Sequence, residues 1–102
     1  MLNNNTYKAL AHPIRRDILK RLQDGPLNAG TLATEYSISK PSLSTHFTIL
    51  KNVRLIQAER KGNHIYYRLN TAVADEVLAG VMDLFGLGMS AKTFNAKGGI
   101  RD

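Results

Sequence analysis

The 102 residues include no cysteine and no tryptophan, and only eight acidic side chains stand against fourteen lysines and arginines. Without cysteine, neither a disulfide framework nor a thiolate metal site can form. No run approaches the roughly 18 consecutive apolar residues of a membrane span. Met1–Asn5 is polar, unlike a charged-then-apolar leader, so the expected location is cytoplasmic. Hydrophobic residues at 43% and charged residues at 22% exclude disorder for most of the chain. The length suits one domain. Its core would be modest enough that apolar area from a partner subunit would be unsurprising.

What is present is positive charge, unevenly spread. Residues 36–70 hold six basic side chains (Lys40, Lys51, Arg54, Arg60, Lys61, Arg68) against Glu59 alone, a net +5 of the chain's +6. An excess concentrated in one block is the footprint expected of a phosphate-binding surface, whereas a solubility surface would be dispersed.

That block coincides with a change of pattern. Upstream, Asn5 or Thr6 can cap a first helix running to about Ala11, and Pro13 suits the first position of a second. In that helix Ile14, Ile18, Leu19 and Leu22 form one stripe, and Gly25-Pro26 ends it. Asn28 caps a third helix with Leu32, Ala33 and Tyr36 facing in, Ser37 falls at a tight turn, and Ser39 caps a fourth helix. Leu43, Phe47 and Leu50 define the buried side of this fourth helix. Stepping about 100° per residue places Pro41, Thr45, Thr48 and Asn52 opposite, with Ser42 and Ser44 flanking. An outward face of hydroxyls between Lys40 and Lys51 is unusual for a solvated helix, but suits one pressed into a major groove.

From Ile56 the period becomes two. Ile56 and Ala58, then Ile65, Tyr67 and Leu69, alternate with polar neighbours around the tip Arg60-Lys61-Gly62-Asn63. This predicts a two-stranded hairpin with a glycine turn and cations crowding its end. A fifth helix from about Thr71 carries Val73, Val77, Leu78, Val81, Leu84 and Phe85, a wider apolar stripe than so small a core would absorb. The predicted organisation is a mainly α (α+β) winged helix-turn-helix over residues 1–88, with about five helices and the hairpin wing. A glycine-rich basic tail over 89–102, poorly ordered or partly docked, completes it.

Three segments then resemble a known family. Ala9-Leu10-Ala11-His12-Pro13-Ile14-Arg15-Arg16, the run Ile38–Lys51, and Arg60-Lys61-Gly62-Asn63-His64-Ile65-Tyr66-Tyr67-Arg68-Leu69 are similar to the ArsR-type repressors, in the right order and spacing. The Ile-Ser-Lys-Pro-Ser run and the wing most resemble its SdpR autorepressor branch. The resemblance covers about residues 6–80 and implies a homodimeric transcriptional repressor on an inverted-repeat operator. The dimer would form through the first and last helices (Tyr7, Leu10, Val77, Leu78, Val81, Leu84, Phe85). Lys40, Ser42, Ser44, Thr45, His46, Thr48, Lys51, Arg60, Lys61, Asn63 and Arg68 would meet double-stranded DNA, with serines and threonines discriminating bases and cations attracting phosphate. The resemblance also suggests a protein partner that draws the repressor off DNA. The alternative is an interaction module whose basic face docks an acidic or membrane-associated partner.

The departures are informative. Metal sensors of the family use Cys-x-Cys before the recognition helix, or Asp and His on the last helix. Here Leu27–Tyr36 has no cysteine, and Asp75, Glu76 and Asp83 have no histidine beside them. Carboxylates alone make a poor site for Zn²⁺, Ni²⁺ or Co²⁺, so no metal or cofactor is expected. His12, His46 and His64 lie in three different elements. His12 suits a cap for the helix begun at Pro13, His46 a boundary position or phosphate contact, and His64 a contact with DNA or water. The Ser42–Thr48 hydroxyls lack any base-and-orienter pattern, so no enzyme is expected. Tyr67 points inward and Tyr66 outward, which favours core packing over base stacking. Arg15 and Arg16 could contact flanking phosphates, face solvent, or pair within the molecule.

Overall fold

The computed structural model describes residues 3–87. Its elements are α1 (Asn4–Leu10), α2 (Pro13–Arg21) with a 3-10 turn at Leu22–Asp24, β1 (Leu27–Asn28), α3 (Ala29–Ala33), α4 (Lys40–Asn52), β2 (Ile56–Lys61), β3 (His64–Leu69) and α5 (Thr71–Leu84). The expected tail over 89–102 lies outside the described residues. The winged helix-turn-helix is present, with five helices and a sheet of three strands rather than two, in the order β1-β3-β2 and antiparallel throughout.

Most helix starts follow from their caps. Asn3, one turn earlier than expected, accepts from the Thr6 N–H at 3.1 Å. His12 Nδ1 accepts from Ile14 N–H at 3.1 Å with Pro13 following. Asn28 Oδ1 accepts from Gly30 N–H at 2.7 Å, Ser39 Oγ from Ser42 N–H, and Asn70 from Val73 N–H. Each satisfies a donor that the first helical turn leaves free. At the other end of α4, Arg54 takes a left-handed φ of 64°. Its N–H reaches Lys51 O and the Leu55 N–H reaches Leu50 O at 3.1 Å, which closes the helix with the geometry usually given to glycine.

The third strand has a non-local cause. Leu27 and Asn28 pair with Tyr67 and Tyr66, bringing the start of α3 onto the wing. Two residues after Pro26 carry no readable alternation. The helix α3 is also shorter than expected: it stops at Ala33, and Tyr36 lies beyond it, half-buried.

Ala9, Ile18, Leu22, Leu32, Leu43, Phe47, Leu50, Leu55, Ile56 and Tyr67 form the core. Phe47 and Tyr67 stack with centroids 4.4 Å apart, joining α4 to the wing. Helix α5 buries none of its residues fully: Leu78 is 58% exposed and Leu84 65%, and Phe85, just past its end, is 72% exposed.

Leu50 is fully buried where α4 meets the rest of the core. Leu50→Ala should lower unfolding free energy by about 2–5 kcal/mol, read by chemical denaturation with unchanged m-value.

Candidate nucleic-acid interface

Burial of Leu43, Phe47 and Leu50 orients α4, and that orientation decides which side chains face out. Lys40, Ser42, Ser44, Thr45, Thr48 and Lys51 are all exposed. Two hydroxyls on this face are already held. Thr45 Oγ1 donates to Pro41 O at 3.0 Å, and Ser42 Oγ accepts from Ser39 Oγ at 3.0 Å. Thr45 therefore keeps only acceptor capacity on its hydroxyl, and Ser42 keeps its own proton to donate.

The wing is set by its turn. Lys61 pairs with His64 across Gly62-Asn63, and Gly62 has φ 62° at the first central position, where two-residue hairpins require positive φ. Arg60, Lys61, Asn63 and Arg68 are exposed. Lys61 Nζ lies over the Tyr66 ring at 5.9 Å, which steadies a flexible cation near the tip. His64 Nδ1 accepts from Asn28 Nδ2 at 3.3 Å. One asparagine thus caps α3 through its oxygen and holds the wing beside its turn through its nitrogen.

His46 is arranged differently from its neighbours on α4. It is half-buried, with its ring centroid 4.4 Å from that of His12 and Nδ1 3.0 Å from Arg15 Nη1. Arg15 itself is buried, donating Nε to Ala9 O at 2.7 Å and Nη2 to Lys8 O at 2.9 Å, while Arg16 Nη1 donates to Leu10 O. The paired arginines therefore cap the C-terminal carbonyls of α1, where cations are favoured. Of the three options open from the sequence, intramolecular bonding describes both, although the partners are carbonyls and an imidazole rather than carboxylates, and Arg16 also faces solvent.

Behind the recognition helix, Tyr36 Oη donates to Asp17 Oδ2 at 2.6 Å, and Arg21 bridges Asp17 and Glu35 while its guanidinium sits 5.8 Å from the Tyr36 ring centre. The Tyr36 hydrogen bond, with Arg21 beside it, holds the Asp17 carboxyl below its usual range. Burial, then Asp17, push the Tyr36 phenol upward. This network ties α2 to the segment entering α4. Nothing in the spacing of Asp17, Arg21, Glu35 and Tyr36 marks it beyond the i,i+4 pair Asp17–Arg21.

Residues 12–58 match the family model "Bacterial regulatory protein, arsR family". The chain is 42% identical to the transcriptional repressor SdpR of Bacillus subtilis over 83% of its own length and 94% of that protein. It belongs to the arsR family of bacterial regulatory proteins. The arsenical resistance operon repressor of Staphylococcus aureus is 34% identical over 70% of the chain and 68% of that protein. Among solved structures, an ArsR family transcriptional regulator, RHA00566, superposes with a TM-score of 0.75 at 27% identity, covering 82% of this chain and 92% of that one. Like other members, the chain is a transcriptional regulator built on a winged helix, and not an enzyme.

Within this ArsR-family fold, His12 and His46 come together while His64 stays apart, beside the wing turn. No group of three or more His, Cys, Asp or Glu able to hold a metal ion occurs among the described residues. No helix described is long and apolar enough to cross a membrane. Of the residues expected at a dimer interface, Tyr7 is 36% exposed, Leu78, Leu84 and Phe85 more so, and Leu10, Val77 and Val81 are half-buried.

Tyr36→Phe removes the hydroxyl bonded to Asp17 and should cost about 1 kcal/mol at neutral pH, at the low end for a charged acceptor because Asp17 is half exposed. A depressed carboxyl stabilises above its unfolded value, 3.8, and that contribution fades as pH falls through the lower folded value. The difference between the two proteins in denaturant midpoint should therefore be constant at neutral pH and narrow in acid.

Proposed function

We propose that the chain is a sequence-specific transcriptional repressor that binds an inverted-repeat operator as a homodimer and represses its own gene. The observation that carries this reading is the outward face of α4: Ser42, Ser44, Thr45 and Thr48 exposed between Lys40 and Lys51, on a helix fixed from behind by Leu43, Phe47 and Leu50. With α4 in the major groove, Thr45 offers an acceptor to base amino groups and its methyl to thymine. Lys40 and Lys51 at the helix ends, with Arg60, Lys61 and Arg68 on the wing, attract the backbone, and the Lys61 tip reaches the flanking backbone or minor groove.

Dimerisation supplies what the protomer lacks. Leu78 and Leu84 on α5 and Phe85 just past it, with Tyr7 on α1, leave large apolar side chains in water, as a partner-facing surface would. A two-fold partner covering it would set two copies of α4 about one helical turn of DNA apart. Regulation without a bound metal fits the lack of cysteine and of a clustered ligand set among the described residues, and a cytoplasmic location fits this role.

Lys61→Ala should weaken binding to operator and random DNA about equally and lower the salt slope by about one. Thr45→Ala should lose on the order of 1–3 kcal/mol of discrimination between operator and random DNA, with the slope kept. Unchanged affinities and slope in Lys61→Ala would remove the wing from the interface. Leu84→Glu should shift the chain from dimer to protomer in sedimentation and abolish tight operator binding, since an unpaired charge would be buried at the two-fold contact. A dimer unaffected by this change would place the interface elsewhere.

A further inference from the structure

Two of the three histidines meet between the α1–α2 unit and the recognition helix, and their protonation is dictated by their partners. Arg15 Nη1 faces His46 Nδ1 at 3.0 Å. A guanidinium has only donors, so Nδ1 of His46 must accept. The backbone N–H of Ile14 donates to Nδ1 of His12 at 3.1 Å, so this nitrogen accepts as well. Both rings are therefore neutral imidazoles carrying their proton on Nε2. A second proton on either ring goes to Nδ1 and breaks a contact. At His12 that is the cap of α2, and at His46 it is the link between α4 and the arginine holding Lys8 O and Ala9 O of α1.

The surroundings oppose that proton. The titratable or charged groups facing His46 are His12 from the α1–α2 connection and Arg15 from α2. Lys8 of α1 lines a groove of about 480 Å³ beside Arg15, Ile49 and Asn52. All are cationic when charged, and the salt bridges among the described residues involve neither imidazole. Burial, then His12 and Arg15, hold His46 below its ordinary value of 6.5. The folded chain thus resists a proton that the unfolded chain accepts. Stability is full above 6.5 and declines as pH falls through that value towards the lower folded one.

We propose that Arg15, His46 and His12 are positioning residues that lock the recognition helix to α1–α2 while the His46 imidazole is neutral, and that mild acid, by protonating His46, unlocks it and lowers operator affinity. The inference rests on the DNA-binding reading above, but its first test does not. In ¹⁵N-edited imidazole spectra of the full chain, His46 and His12 should both appear as Nε2–H tautomers, with His46 titrating below a free imidazole. An Nδ1–H tautomer at His46 would overturn the proposal whatever the chain does with DNA.

The second test compares fluorescence anisotropy on the chain's own upstream duplex and a scrambled one, at pH values about 1.5 units above and about 1 unit below the ordinary histidine pKa. The native chain should lose operator affinity by about fivefold or more on acidification, the usual lower range for coupling between sites. His46→Gln keeps an acceptor for Arg15 but does not titrate, so it should flatten this ratio. A ratio equally steep in His46→Gln would overturn the proposal, as would a native ratio of one. Affinity that rises on acidification only when His46 is present would also overturn it, making His46 a phosphate contact. No operator preference at the higher pH would instead count against the DNA reading, leaving the tautomer result to stand alone. If His46→Gln does not fold, the imidazole titration of the native chain decides.

Discussion

Everything proposed for this chain depends on three side chains being buried on one side of one helix. Leu43, Phe47 and Leu50 are at most 6% exposed, and burying each stabilises by about 1.5–3 kcal/mol relative to leaving it in water. Rotating α4 by a single residue would expose them, so the opposite face is fixed by the same free energy that holds the core. The remaining elements restrain the same helix at its ends. Ser39 caps its start, the left-handed Arg54 closes its finish, and Tyr67 stacks on Phe47 from the wing.

Positive charge divides into two populations that a net charge cannot separate. Arg15 and Arg16 are bonded to the last carbonyls of α1, and Arg21 to Asp17 and Glu35; these cations join helices together. Lys40, Lys51, Arg60, Lys61 and Arg68 are exposed, and on these a polyanion can act. The cations thus supply structural donors within the fold and, on the proposed DNA reading, the surface that would face phosphate. Arg15 also connects α1, through Lys8 O and Ala9 O, to α4, through His46 Nδ1.

The sequence was legible where periodicity or capping chemistry governs. The stripe on α4, the caps Asn28, Ser39 and His12, the glycine turn of the wing and the inward Tyr67 were all readable, because each is a local rule acting on neighbouring residues. The failures are non-local. Strand β1 exists because Tyr66 and Tyr67 offer a paired edge to two residues that carry no pattern of their own. Tyr36 was assigned to α3 by spacing, yet it lies past the helix end and finds Asp17, 19 residues away in sequence. The Arg15–His46 contact spans 31 residues, and no single sequence marks such a pair. The helical spacing places His46 at the boundary of α4, open to packing, hydrogen bonding or a phosphate; it does not name His12 and Arg15 as the partners its ring meets.

The apolar surface left on α5 fits the proposed second copy, and the hydroxyl face of α4 fits the proposed duplex. The most direct measurement is fluorescence anisotropy of the full chain against its own upstream DNA and a scrambled duplex, repeated at two salt concentrations. Operator binding at least about a thousand-fold tighter than scrambled, with both affinities falling steeply in salt, is the predicted result. Equal, weak, salt-sensitive binding to both duplexes would reduce the basic face to a general polyanion surface for that DNA. No binding to either by the folded chain would contradict the DNA reading and leave a protein-interaction module in its place.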